Sequence, residues 1–287
     1  MRPRVVGFVG LGHMGQPMAE RIVAAGFPLV GFDAAGTAER LPDGADGGAG
    51  VADVAARADT LLLSLPDGPV VLDVVDALAT AEDRRATTVV DLSTTGPAAA
   101  VEAATRLAAV GVTYVDGPVS GGVAGARRGT LALMYAGPAA VLDDHRGVLE
   151  AFAGHLVAVG TVAGQGQTMK LLNNFLSATA LAATSEALTF GLAHGLSLPV
   201  MLDVLNASTG RNSATVDKFP NRVLTGTYDA GFSTALMAKD LRLYVDSLGR
   251  ASTPDAVGRA VSAVWQRADA ARPGSDFTEI WPFVSGT

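Results

Sequence analysis

The sequence contains no cysteine. Disulfides, thiolate nucleophiles and cysteine-bound zinc or iron–sulfur sites are therefore excluded, and a reducing, cytoplasmic setting is the expectation. Histidine is scarce as well. His13, His145, His155 and His194 are scattered without paired ligand spacing, so no metal site is expected. Basic residues are in deficit, with 21 Lys and Arg against 28 Asp and Glu, a formal net charge of −7. Nucleic-acid binding needs clustered positive charge and is not expected. No run reaches the ~18 uninterrupted apolar residues that span a bilayer. Arg2 and Arg4 before residues 5–9 imitate the start of a signal peptide. The imitation ends at Gly10–Gly15, where Gly10, Gly12, His13 and Gly15 interrupt the apolar region. Residues 5–9 read instead as a buried strand, and no membrane partner is expected.

What is present is an apolar chain. Hydrophobic residues make up 49% of 287, enough for a substantial core and against disorder. At roughly 100–200 residues per domain the length suggests one large domain or two ordinary ones. Residues 5–9, 29–33, 60–65, 88–92 and 112–115 are near-continuous apolar runs, the pattern of strands covered on both faces. Ala-rich segments of helical length separate them. In the first, Met14, Met18 and Ile22 form one stripe. Strand–helix alternation implies a parallel, doubly wound sheet, with residues 131–135 and 156–159 as two further strands. After about residue 163 the pattern becomes helical: 166–194, 200–207, 234–248 and 255–271. Pro199, Gly210, Pro220, Gly231, Pro254 and Pro273 punctuate these segments. The expected fold is α/β, a Rossmann sheet over residues 1–163 followed by an all-α domain over 164–287, joined by a long helix.

Gly10-Leu11-Gly12-His13-Met14-Gly15 is a G-x-G-x-x-G directly after the first strand and opening a helix. Gly10 permits the tight turn, Gly12 lets backbone approach a pyrophosphate, and Gly15 lets the helix pack on the strand. Asp33, 18 residues after Gly15, ends the second strand. A carboxylate there accepts the adenosine ribose hydroxyls and repels a 2′-phosphate, so NAD is preferred over NADP. Ala34 and Ala35 supply no compensating cation, although Arg40 is near in sequence. A strand-end turn former is the plainer role for Asp33. The segments around Leu65-Pro66 and 91–95 sit at later strand ends, where ligands bind in parallel sheets; ordinary exit turns account for them equally well.

Lys170 and Asn174 are one turn apart on the long helical segment, beside Leu171, Leu172 and Phe175. Polar groups on an apolar helix are costly unless they meet something polar. A partly buried lysine acquires a lowered pKa suited to proton transfer, whereas the usual fate of a lysine is a solvated surface. Ser120, Gly121 and Gly122 follow another strand end. A hydroxyl beside unobstructed backbone N–H groups forms a nest for a small carboxylate, and the alternative is a flexible turn.

Taken together, these motifs resemble the β-hydroxyacid dehydrogenases. The resemblance runs through Gly7–Met18, Leu65–Asp67, Asp91–Thr94, Asp116–Gly122, Gly164–Asn174, Leu205–Arg211 and Leu236–Leu241, nearly the whole chain. It implies an active site in the cleft between a Rossmann and a helical domain, and oxidation of a short 3-hydroxy acid to an aldehyde or keto acid. It further implies Lys170 as acid/base, Asn174 as the substrate-orienting amide, Ser120–Gly122 as the carboxylate holder, and Thr94 and Lys239 as cofactor contacts. After Gly210-Arg211, members acting on 3-hydroxyisobutyrate commonly carry a bulky aromatic. Asn212-Ser213-Ala214-Thr215 is small and polar instead, which leaves room for a larger or more hydroxylated acid. An imine reductase on the same scaffold and a non-catalytic NAD-binding protein are the competing readings. Lys170 weighs against both, because imine-reducing relatives generally lack that lysine and a pure binder needs no proton-transfer group. A small carboxylate substrate and a homodimer or homotetramer are the expected partners.

Overall fold

The apolar runs of the first half become short strands because each is covered on both sides. The computed structural model describes residues 4–286, and Arg2 lies outside them. The strands are β1 (Val6–Val9), β2 (Leu29–Phe32), β3 (Asp46–Gly47), β4 (Thr60–Leu63), β5 (Thr88–Asp91), β6 (Thr113–Asp116), β7 (Val119–Ser120), β8 (Leu131–Ala136) and β9 (Ala153–Gly160). Their order is β3-β2-β1-β4-β5-β6-β8-β7, with β9 paired to β8. Neighbours from β3 to β6 pair parallel, and β8 runs antiparallel to β6 and β7. The strand order reverses between β1 and β4, and ligands of such sheets bind beyond the carboxyl ends at that point.

Side chains alternate between two cores. Val6 and Phe8 of β1, Leu62 of β4 and Val90 of β5 enter one. Val9, Leu61, Leu63 and Val89 enter the other. The period of two follows from strand geometry. The covering helices of this half are α1 (Gly15–Ala24), α2 (Val51–Arg57), α3 (Gly68–Ala79), α4 (Pro97–Ala108), α5 (Gly122–Arg128) and α6 (Ala139–Glu150). Buried His145 joins α6 to β4: Nε2 lies 2.7 Å from Thr60 Oγ1 and Nδ1 lies 2.7 Å from the Val141 carbonyl. A carbonyl only accepts, so Nδ1 carries the proton and Nε2 accepts from Thr60. Burial pushes the imidazole pKa below its ordinary 6.5.

The second half is helical: α7 (Gln165–Ala193), α8 (Leu198–Asn206), a π-helix (Ala214–Val223), α9 (Thr234–Ala251), α10 (Ala256–Ala271), a 3₁₀ turn (Phe277–Glu279) and α11 (Ile280–Ser285). Ala178, Leu181, Leu188, Met201, Phe219, Leu241, Phe277 and Trp281 pack in one core with fully buried Trp265. Trp265 Nε1 donates to the Ala178 carbonyl at 3.2 Å. By length and composition α7 could cross a bilayer, but Ala178, Leu181 and Leu188 belong to this core.

Pro220 does not interrupt helix here; it lies inside the π-helix. In an i→i+5 helix its missing N–H would have bonded the Thr215 carbonyl. Asn206 Nδ2 donates to that carbonyl at 3.0 Å instead. Strands β3 and β7, two residues each, and the terminal 3₁₀–α11 segment carry no periodic signal in the sequence. The chain divides into two compact units, Met1–Lys170 and Leu171–Thr287. The division falls inside α7, whereas the sequence expectation sets the boundary at 163/164.

Candidate active site

The glycine-rich turn leaves β1 at its carboxyl end and enters α1. Gly10 has φ +93°, and a Cβ there would lie 2.3 Å from the Ser64 carbonyl oxygen. A Cβ on Gly15 would lie 1.8 Å from the Gly10 carbonyl oxygen, so only glycine lets α1 approach this closely. At Gly12 nothing lies within 4 Å of a Cβ position, so its backbone is open to approach. The first turn of α1 has neither an acidic residue nor a side-chain cap. No side chain of the first turn thus neutralises its positive end, which suits a pyrophosphate. His13 is exposed, Met14 half-buried and Leu11 buried. Asp33 Oδ2 accepts the Leu11 N–H at 2.8 Å, which ties the end of β2 to the turn. Arg40 Nη1 lies 2.8 Å from Asp33 Oδ1. The residues expected to hold a dinucleotide therefore fit one.

Leu65 and Pro66 follow β4 and Thr94 follows β5, all on the same sheet edge. Ser93 Oγ accepts the Leu65 N–H at 2.9 Å and holds the two exit turns together. Asp67 caps α3 by accepting the Val70 N–H at 3.1 Å.

A buried polar network then sets the start of α7. Gln167 is fully buried. Its Oε1 accepts the N–H groups of Thr95 (2.9 Å) and Gly96 (3.1 Å). Its Nε2 donates to the Ser93 carbonyl (2.9 Å) and Asp116 Oδ1 (3.0 Å). Asp116 Oδ2 accepts the N–H groups of Gly164 and Gln167 at 2.9 and 3.0 Å. Burial pushes the Asp116 carboxyl up to about 6, against the lowering effect of those hydrogen bonds. Tyr114 donates to Asp91 Oδ2 at 2.9 Å, and burial followed by that neighbouring charge raises its phenol well above the ordinary value. Sequence reasoning quoted Asp116 and Gln167 within longer motifs and missed their partnership. Both lie in polar or glycine-rich stretches, so nothing local in the sequence marks the pair.

Lys170 and Asn174 follow on α7, 7% and 6% exposed. Asn174 Nδ2 donates to Asp240 Oδ2 at 2.7 Å, and Asn173 Nδ2 donates to Asn174 Oδ1 at 3.1 Å. Lys239 Nζ lies 3.4 Å from Asp240 Oδ1. Phe175 stacks on Tyr244 with ring centroids 4.5 Å apart, so consecutive residues of α7 engage α9. Asp240, 2% exposed, is a partner of Asn174 that sequence reasoning did not single out. Ser120 is the half-buried last residue of β7, opposite Ala132 of β8, and Gly121 and Gly122 (φ +133° and +63°) lead into α5.

Asn212, in the small polar segment after Gly210-Arg211, is hydrogen-bonded through both ends of its amide. Its Oδ1 accepts the Ala214 and Thr215 N–H groups at 2.8 and 3.2 Å. Its Nδ2 donates to Thr184 Oγ1 and the Gly210 carbonyl at 3.2 and 3.0 Å. The amide is spent starting the π-helix.

Known proteins match along almost the entire chain. Residues 5–160 fit the family described as the NAD binding domain of 6-phosphogluconate dehydrogenase. Residues 164–284 fit the NAD-binding domain of NADP-dependent 3-hydroxyisobutyrate dehydrogenase. The human mitochondrial 3-hydroxyisobutyrate dehydrogenase is 33% identical, over 97% of this chain and 86% of that protein. A probable 3-hydroxyisobutyrate dehydrogenase of Mycobacterium bovis is 35% identical over 96% of each. The Mycobacterium tuberculosis 3-hydroxyisobutyrate dehydrogenase solved with L-serine superimposes with a TM-score of 0.90, at 32% identity, covering 98% of this chain and 99% of that one. With its Rossmann sheet, glycine-rich turn and helical second half, the chain belongs to the β-hydroxyacid dehydrogenase family and is an NAD-using dehydrogenase of CH–OH donors.

Proposed function

We propose that the protein oxidises a short-chain 3-hydroxy acid, of the kind its relatives are named for, to the semialdehyde or keto acid, with Lys170 as the general acid/base. The observation that carries this reading is the buried pair Lys170 and Asn174 on α7, with the Asn174 amide oriented by Asp240. Nothing about dinucleotide binding requires a buried amine and an oriented amide there.

Gly10, Leu11, Gly12, His13, Met14 and Gly15 hold the pyrophosphate, and Asp33 takes the ribose hydroxyls and so favours NAD. Leu65, Pro66, Thr94 and Lys239 complete the cofactor contacts. Bound NAD supplies the hydride acceptor. Lys170 Nζ takes the proton of the substrate hydroxyl as the C–H bond is lost, and returns it in the reverse direction. One Asn174 Nδ2 proton is committed to Asp240, and the other is available to the substrate oxygen. Ser120 Oγ and the N–H groups of Gly121 and Gly122 receive the carboxylate. The chain's own contribution is orientation and proton transfer.

The working form is a homodimer or homotetramer in the cytoplasm. Exposed Phe190, Val200 and Val204 support a subunit contact. The test is reduced-cofactor formation, followed by absorbance, with 3-hydroxyisobutyrate, L-serine, glycerate, threonate and 4-hydroxybutyrate. Turnover of at least one of these acids is expected. A folded, NAD-binding protein that turns over none of them contradicts the reading.

A further inference from the structure

The first turn of α7 is pinned to the end of β6. Gly166 brings backbone close to backbone: a Cβ there would lie 2.7 Å from the Met134 carbonyl oxygen, 2.9 Å from that of Asp116 and 3.1 Å from Asp116 Cγ. Asp116, the fully buried last residue of β6, accepts the Gly164 and Gln167 N–H groups on Oδ2 and Gln167 Nε2 on Oδ1. Backbone N–H groups at this end of a helix have no partner within it, and the carboxylate also meets the positive pole.

The sense of these bonds is fixed. The Thr95 and Gly96 N–H groups hold Gln167 Oε1, so the amide presents Nε2 to Asp116. Asp116 therefore faces three donors, and an ionised carboxylate, which only accepts, satisfies them all. An amide in its place turns an N–H group toward one of them. Lys170 is the sixth residue of α7, three after Gln167 and on the same face. A slip or rotation of the first turn is passed directly to its side chain. We propose that Asp116 is the positioning residue for the Lys170 amine, setting the rotation and height of the first turn of α7 on the end of β6. The consequence for turnover rests on the acid/base reading of Lys170, and the placement of the amine does not.

The sequence has three lysines, Lys170, Lys218 and Lys239. Protein labelled with carbon-13 at lysine Cε gives one magnetic resonance signal for each, and the signal lost in Lys170→Arg belongs to Lys170. In Asp116→Asn the Lys170 signal is expected to move by more than its linewidth while that of Lys218 stays. The kcat falls about 10–100-fold, and affinity for reduced NAD stays within about threefold. Gln167→Met, of similar length, cuts the same link without altering charge, and the Lys170 signal moves there too. It separates displacement of the amine from mere loss of a neighbouring charge, and it stands alone should Asp116→Asn not fold. A Lys170 signal unmoved in Gln167→Met overturns the proposal, whatever Asp116→Asn shows. A signal that moves in both variants while kcat holds supports the placement and contradicts the acid/base reading instead.

Discussion

An amide orients a substrate only while its own oxygen and nitrogen are fixed, and Asp240 fixes Asn174. The carboxylate accepts from Nδ2 at 2.7 Å, so the amide cannot turn over without placing Oδ1 against a negative charge. Asp240→Asn removes that bias. The expected result is a kcat lower by about 10–100-fold, the range associated with small misplacements of reacting groups. Adenine-nucleotide binding is expected to persist. A variant with full kcat would show that Asp240 does not position Asn174. At this scale the sequence shows which side chains are out of place and hides their partners. Lys170 and Asn174 stand out because polar groups interrupt an apolar helix. Asp240 is 66 residues from Asn174 and sits in an ordinary mixed helix, so nothing local marks it. The partners of Asn212 are hidden for the same reason, since Thr184 is 28 residues away in sequence.

Among elements, α7 is held by its first turn. Gln167→Leu leaves the Thr95 and Gly96 N–H groups, the Ser93 carbonyl and one Asp116 oxygen without that partner. At 1–3 kcal/mol per stranded buried group, a loss of at least ~3 kcal/mol is expected, or roughly 6–12 °C in Tm for a unit of this size. Calorimetry showing no change would remove the network from the account. The α6–β4 join makes a pH prediction. The folded-state pKa of His145 is below 6.5, so the unfolded chain binds that proton more tightly. Its contribution is complete above the unfolded value and is lost as pH falls through the folded one. Asp116 acts in the opposite sense: with a folded value of about 6 against 3.8, its contribution is present at low pH and lost as pH rises through about 6. Comparison with a variant isolates the histidine. The fall in Tm from about pH 7 to about pH 5 is smaller in His145→Gln than in the wild type. An equal fall contradicts the buried neutral imidazole. The parallel strands were legible because residues covered on both faces must be apolar throughout. Residues 46–47 and 119–120 are too short for any period, and Pro220 reads as a break because its rescue by Asn206 is tertiary.

On the scale of the whole molecule, the two-part organisation and the β-hydroxyacid dehydrogenase family follow from ordered motifs spread along the chain. A subunit contact is argued from what the fold leaves uncovered. Phe190, Val200 and Val204 are 68%, 55% and 61% exposed on α7 and α8. Light scattering on the eluting protein is expected to give at least twice the 29.1 kDa chain mass, and a monomer at all concentrations contradicts this. The central claim is that the buried amine of α7 moves the substrate proton. Steady-state turnover of Lys170→Ala, measured alongside its binding of reduced NAD, tests it most directly. The account predicts a kcat lower by roughly 10²–10⁴-fold with cofactor binding retained, the usual contribution of a general acid/base. Near-normal turnover in a variant that still binds the cofactor would contradict it.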